Sequence, residues 1–338
     1  MRPRVRMGSL PLSQLVSSAP IVETKSIEAL QWISYLVPLR HRWFPLLRRF
    51  VPERGLIAVP FASGRVLYPA AWVGPYNSSY LFSLDQVFPE RPLFEVTLKA
   101  APAGAVVDVG ANLGIYTLMT RRLSRARIIA YEPSPLAFHV FRRMIDANGL
   151  TDIDLRLKAC GDKRGRACLQ EGINSYVGGV ADTDRRDFDD FDHLCRQTRD
   201  GFTSTDAEQV MLDDELAGEG SIALIKIDCE GFEHRILLGA RRVLAEQRPT
   251  LFIELHPEMI QRAGDTPEEL CGLLRDSSYD VECWNFQRTR HASRARRFLN
   301  RYRAGGHRYR DVEDMLADLP KSLPQQVYLV ATPSIRTA

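Results

Sequence analysis

The sequence predicts a doubly wound α/β fold: a mostly parallel sheet of seven strands with helices on both faces, preceded by a helical N-terminal extension. Three observations carry that expectation. Short apolar runs alternate with longer helical stretches; the run Ala105–Val109 leads through a glycine loop into a helix; and the next run, Arg127–Tyr131, is followed by an acid, Glu132.

Residues 1–55 read as a basic amphipathic extension and residues 56–338 as the main domain. In the extension, Leu30, Ile33, Leu36, Leu39, Phe44 and Leu47 recur at helical spacing beside Arg40, Arg42, Arg48 and Arg49, with Pro38 and Pro45 as breaks. Short helices follow, either packed on the main domain or laying a basic face on a membrane surface. Arg2, Arg4 and Arg6 imitate the start of a signal peptide, but Pro11 and Pro20 interrupt the segment behind them, so none is expected. No stretch approaches the roughly 20 consecutive apolar residues that span a bilayer. The six cysteines show neither a CxxC pair nor zinc-type spacing, so reduced thiols and a cytoplasmic setting are expected.

In the main domain, β-type residues from Leu56 to Tyr68, punctuated by Ser63-Gly64, suit a hairpin, and Leu81–Ala101 reads as mostly helical. Ala105–Val109, Arg127–Tyr131, Ile153–Lys158, Leu224–Asp228 and Leu251–Leu255 form the parallel series, with helices in most of the gaps. Asp280–Trp284 and Gln326–Ala331 complete the sheet as an antiparallel pair. Two segments interrupt this order. Residues 181–201 carry Asp182, Asp184, Asp187, Asp189, Asp190 and Asp192 without the spacing of a calcium loop, and read as a solvated acidic insertion. Residues 288–310 interleave arginines with Phe298, Tyr302 and Tyr309, a pattern that suits phosphate contact and base stacking. Nucleic acid stays open as a partner on that ground, although an anionic glycan or plain solvent satisfies the same residues. The net charge of +3 is too small for whole-molecule attraction to nucleic acid.

The run Val106-Val107-Asp108-Val109-Gly110-Ala111-Asn112-Leu113-Gly114-Ile115-Tyr116 is a buried strand that turns into a helix. Gly110 and Gly114 read as leaving room for a ligand against the backbone. A dinucleotide fingerprint requires G-x-G-x-x-G, but Asn112 fills its middle position and Ile115 its third, which disfavours NAD and FAD. The loop suits instead a nucleoside cofactor with an amino-acid tail. Asp108 would position its amino group, the backbone near Gly110 would face its carboxylate, and Glu132, 22 residues after Gly110, would bind both ribose hydroxyls. Lys158-Ala159-Cys160-Gly161-Asp162 would present backbone groups to the base.

A second cluster, Leu224-Ile225-Lys226-Ile227-Asp228-Cys229-Glu230-Gly231-Phe232-Glu233, is an apolar strand ending in acids around a glycine, and Thr250–Leu255 ends at Glu254 and His256. Ligands of open α/β sheets sit beyond the carboxyl ends of the strands, so Asp228, Glu230, Glu254 and His256 are expected to share the crevice of Gly110. His256, with an ordinary pKa of about 6.5, suits a general base; Glu230 does so if burial raises its own. Asp228 falls between cofactor and acceptor. Alternatively Asp228, Glu254 and His256 hold Mg²⁺, which would lower the acceptor pKa directly. Glu233 reads as an acid favourably placed at a helix start.

These phrases, with Tyr131-Glu132-Pro133, Leu212-Asp213-Asp214 and Phe252-Ile253-Glu254, resemble the ordered motifs of the FkbM-type methyltransferases over roughly Leu81–Met259. The resemblance implies a class I (Rossmann-like) methyltransferase fold, S-adenosylmethionine as methyl donor, and O-methylation of a hydroxyl on a glycan or natural product. The acidic insertion is longer than the family's usual link, which leaves the acceptor open. Two rivals remain: a nucleic-acid methyltransferase acting through residues 288–310, and a cofactor-binding module without catalysis. The intact acids at both strand ends speak against the module.

Overall fold

A tight hairpin needs two β-prone runs joined by residues that accept left-handed backbone. The computed structural model describes residues 11–23, 49, 52–73, 88–171, 176–177, 191–192, 195–196, 203–286, 306–319 and 326–334. Its first sheet contains β1 (Ile21–Val22), β2 (Leu56–Phe61) and β3 (Gly64–Pro69), with β1 parallel and β3 antiparallel to β2. The β2–β3 turn is centred on Ala62 and Ser63, at φ of 49° and 63°, one residue earlier than expected. Asn148 ties the hairpin down: its Oδ1 accepts from the Arg65 N–H at 2.8 Å and its Nδ2 donates to the Arg65 carbonyl at 2.7 Å.

The helix Leu12–Ser18 buries Leu15 and Val16 in the same core as Val140 and Phe141 of the helix Pro135–Ala147. Arg143 of that second helix donates to the carbonyls of Val16 and Ala19. The division expected between residues 55 and 56 therefore cuts through a sheet, because β1 lies before it and its partner β2 after it. The amphipathic run expected over 27–50 lies outside the described residues, apart from Arg49.

The main sheet is built from β4 (Ala105–Val109), β5 (Ile128–Tyr131) and β6 (Ile153–Arg156), followed later in the chain by more strands. Between these halves, β7 (Ala159–Cys160), β8 (Gly165–Glu171), β9 (Tyr176–Val177) and β10 (Thr203–Val210) make a separate four-stranded sheet in the order β7-β10-β8-β9. Then β11 (Ile222–Ile227), β12 (Thr250–Leu255), β13 (Tyr279–Asn285), β14 (His307–Arg308) and β15 (Val327–Pro333) return to the main sheet. Its order is β14-β13-β15-β12-β11-β4-β5-β6.

Residues on these strands alternate between two cores. Val106, Ala130, Leu224 and Phe252 face the hairpin side; Val107, Ile129, Ile225 and Ile253 face the helices of the other side. A strand buried on both faces reads as a continuous apolar run, which is why the series was legible. Full burial of each such side chain contributes about 1.5–3 kcal/mol.

Two details differ from the expectation. The sheet has eight strands rather than seven, because the two-residue β14 adds an edge. The expected antiparallel pair is present: β15 runs against both β12 and β13, and the edge strand β14 likewise runs against β13. The third strand also stops at Arg156, short of Lys158.

Of the acidic insertion, Phe191 and Cys195 are buried in the hairpin-side core and Asp192 Oδ1 accepts from the Gly55 N–H at 2.8 Å. This end of the insertion is docked rather than solvated; Asp182 to Asp190 lie outside the described residues, as do Arg288 to Arg303. None of the six cysteines is in a disulfide. Among the described residues no helix is long and apolar enough to cross a membrane.

Candidate active site

The chain reverses its direction of travel across the sheet between β4 and β11, and the gap this leaves at their carboxyl ends is where ligands of such sheets sit. Gly110 stands at that point. Its φ is 72°, and a Cβ there would lie 1.9 Å from the Asp228 carbonyl oxygen, so the two strand ends approach as closely as they do only because Gly110 has no side chain. Gly114 serves a different purpose. At φ 81° its Cβ would meet Phe141 at 2.2 Å, so this glycine lets the loop pack on the helix Pro135–Ala147 and does not line the crevice.

The loop between them fixes Glu132. The Asn112 N–H donates to Glu132 Oε2 and the Ser134 N–H to Oε1, both at 2.7 Å, while the Gly110 and Ala111 N–H groups bond the Tyr131 carbonyl. Glu132 is 4% exposed and lines the cavity. Asn112 has a left-handed φ of 48°, and its buried Oδ1 has no hydrogen-bond partner among the described residues. Cys160 lines the same cavity beside Lys158; its strand pairs with β10, and burial pushes its thiol pKa up.

Asp108 is placed elsewhere than its expected role requires. It is 2% exposed and does not line the cavity; Oδ2 accepts from the Thr117 hydroxyl at 2.8 Å, and Oδ1 is 3.2 Å from Lys226 Nζ. Lys226, directly across in the register of β4 and β11, donates to the Gly110 carbonyl at 2.8 Å and lies 4.9 Å from the Tyr116 ring centroid. Burial alone would lower the Lys226 pKa; Asp108 and Asp228 outweigh it and hold the ammonium charged. Asp108 thus acts through Lys226, which braces the backbone of the glycine loop.

The expected convergence of Asp228, Glu230, Glu254 and His256 is present. His256 Nε2 lies 3.6 Å from Glu230 Oε2, 3.8 Å from Glu254 Oε1 and 3.9 Å from Asp228 Oδ1. Its other nitrogen, Nδ1, is 2.7 Å from Oε1 of the fully buried Glu233. The same Oε1 accepts from the Gly231 N–H at 3.1 Å and the Cys229 N–H at 3.4 Å. Burial works against a charged imidazole, but Glu233, Glu254 and Glu230 overcome it and raise the His256 pKa well above its ordinary value. Glu230, Glu254 and Asp228 crowd its Nε2 side, so His256 stands among acids. Burial, then Asp228, raise the Glu254 pKa, while the Tyr328 hydroxyl donates to Glu254 Oε2 at 2.6 Å. Behind them Glu90, fully buried, accepts from the Tyr116 hydroxyl at 2.6 Å, and burial pushes its pKa up to about 7.

Sequence reading missed Lys226, Glu90 and the aromatic wall of Tyr68, Trp72, Phe88, Tyr116 and Tyr328, and gave Glu233 only its helix-start role. A lone lysine inside the apolar run Leu224–Ile227 was the available signal for Lys226. In the arginine-rich segment, Tyr309 is 3% exposed and its hydroxyl donates to Asp318 at 2.8 Å, so it offers no stacking face. Arg308 pairs with Glu282 at 2.8 Å.

Three curated relatives and one solved structure resemble this chain. The chain is similar to Methyltransferase 1 of Beauveria bassiana, 27% identical over 144 residues that make up 40% of this chain and 57% of that protein. It is 26% identical over 207 residues to the methyltransferase sdnD of Sordaria araneosa, covering 52% of this chain and 73% of sdnD. It matches the AMB antimetabolite synthetase AmbE of Pseudomonas aeruginosa at 26% identity over 217 residues, which is 53% of this chain but 10% of the synthetase. The chain thus spans little more than half of the first relative and a small part of AmbE. The crystal structure of Methyltransferase FkbM from Methylobacillus flagellatus KT aligns at 20% identity and a TM-score of 0.34, over 53% of this chain and 39% of that one. Residues 108–281, more than half of the chain, match the model of the methyltransferase FkbM domain, and with the glycine loop, Glu132 and the acids of β11 and β12 inside that span, the chain belongs to the FkbM methyltransferase family.

Proposed function

We propose that this protein transfers the methyl group of S-adenosylmethionine to a hydroxyl of a glycan or natural product. The observation that carries the reading is the placement of Glu132 and the Asp228–Glu230–Glu254–His256 group on one cavity at the carboxyl ends of adjacent strands. The residues present suit the cofactor. Gly110 lines the cavity with bare backbone, the buried Asn112 Oδ1 awaits a donor, and a carboxylate oxygen such as those of Glu132 accepts more than one hydrogen bond. Gly110, Asn112, Glu132 and Cys160 would hold it, with Asp228 at the boundary with the acceptor. When bound, the cofactor supplies an electrophilic methyl group on a sulfonium sulfur.

The chain's own residues then have to seat the acceptor, exclude water and take a proton from its hydroxyl. Glu230 is the base in this reading; its left-handed φ of 49° is the kind of backbone strain that persists where a side chain must be aimed. His256, fixed by Glu233, positions the acids around it. The aromatic wall supplies flat apolar surface for a sugar ring or a natural-product skeleton. Among the described residues lining the cavity, both lysines are already engaged: Lys226 by Asp108 and Lys158 by Glu215 at 2.8 Å. That favours an acceptor without phosphate over nucleic acid.

The test is label transfer from methyl-tritiated S-adenosylmethionine to a panel of sugars, glycosides and phenolic or polyketide alcohols, read beside calorimetry with S-adenosylhomocysteine. Transfer by the parent and loss in Glu230→Gln, with homocysteine-product binding kept, supports the reading. Binding without transfer to any acceptor favours the non-catalytic module.

A further inference from the structure

We propose that Asp228, Glu254 and His256 form a binding site for one divalent first-row cation at the acceptor end of the cavity, a reading that rests on the transfer reaction proposed above only for its role and not for its existence. The three side chains come from the ends of the adjacent strands β11 and β12, and their ligand atoms lie within 4.8 Å of one another. His256 Nε2 faces Asp228 Oδ1 and Glu254 Oε1 at 3.9 Å and 3.8 Å, too far for a hydrogen bond. Metal bonds of about 2.1 Å separate two ligand atoms by about 3.0 Å at a right angle and about 3.6 Å at 120°, so a shared cation would draw the two carboxylates inward by a few tenths of an ångström or more.

A second observation comes from the far side of the ring. Metal-binding histidines characteristically give their other nitrogen to a carboxylate, which fixes the ring and its tautomer. Glu233 does this at 2.7 Å, and it is itself fully buried and held by the Gly231 and Cys229 N–H groups. Among the described residues, Lys226 lies 3.7 Å from Asp228 but is committed to Asp108 and the Gly110 carbonyl, so it does not fill the gap. One imidazole with two carboxylates suits Mn²⁺ or Zn²⁺ better than Mg²⁺, which prefers an all-oxygen shell. A cation here would bind the acceptor hydroxyl and lower its pKa next to Glu230.

Chelator-stripped protein titrated with Mn²⁺, with free ion read by electron paramagnetic resonance, tests the site directly. One ion per chain is expected, weakened more than about 100-fold in Glu254→Gln and in His256→Ala, and about 10- to 100-fold in Glu233→Gln. Circular dichroism establishes that each variant is folded; the near-isosteric Glu254→Gln decides the matter if His256→Ala is not. Equal Mn²⁺ binding by the parent and Glu254→Gln, or none by the parent with either Mn²⁺ or Zn²⁺, overturns the proposal. S-adenosylhomocysteine binding by the parent is measured alongside: its failure counts against the cofactor reading, while specific Mn²⁺ binding would still support the metal site.

Discussion

Replacing Glu90 by glutamine should remove a pH-dependent penalty that the folded protein carries above neutrality. Burial raises this carboxyl from 4.5 to about 7, so the fold favours its protonated form. A group with a raised folded pKa contributes its stability fully below the unfolded pKa and loses it as pH rises through the folded one, here between about pH 4.5 and 7. Those two values give a penalty of about 1.4 kcal/mol at pH 5.5 and about 3.4 kcal/mol at pH 8.5, a change of about 2 kcal/mol. Glutamine keeps an oxygen for the Tyr116 hydroxyl, and its amide adds an offset that does not vary with pH. Urea unfolding followed by tryptophan fluorescence at both pH values gives the stability of each protein. The advantage of Glu90→Gln over the parent should grow by about 2 kcal/mol from pH 5.5 to 8.5. A difference that stays constant across that range would show that Glu90 is not titrating in the folded state, and the burial argument would fail.

Lys226→Met strands Asp108, whose side chain is 3% exposed, without its cation, and should destabilise by about 3–5 kcal/mol in the same urea assay; a loss under about 1 kcal/mol would deny the pair its bracing role. Gly114→Ala drives a methyl to 2.2 Å from Phe141 at φ 81°, and a loss of about 2–3 kcal/mol is expected, partly recovered by adding Phe141→Leu. A neutral Gly114→Ala, or no recovery in the double variant, would contradict the packing role.

The strands were legible because Val106-Val107 and Leu224-Ile225 are buried on both faces, which writes an unbroken apolar run into the sequence. The antiparallel pairing of β13 with β15 was expected, but the insertion of β15 between β12 and β13 was not legible, since an apolar run does not name its neighbours. Glu132 and the acids of β11 and β12 could be placed because strand ends in such sheets face one crevice. Burial decides what happens next to them, and burial is not local. Asp108 sits one residue from the end of β4 yet turns to Lys226 on the neighbouring strand. Glu233 is an acid at a helix start, as read, but its distance of 2.7 Å from His256 joins positions 23 residues apart. Glu90 and Tyr328 reach the same floor from opposite ends of the main domain. The same non-local pairing fixes the ring of His256 through Glu233.

The account rests on the cavity at Gly110 and Glu132 being a site for S-adenosylmethionine. Calorimetry with S-adenosylhomocysteine and, in parallel, NADH measures this most directly. One molecule of S-adenosylhomocysteine per chain is predicted, weakened at least about 100-fold in Glu132→Gln through the loss of charge-assisted hydrogen bonds, with no binding of NADH. Binding of NADH without S-adenosylhomocysteine, or equal S-adenosylhomocysteine affinity in Glu132→Gln, would contradict it.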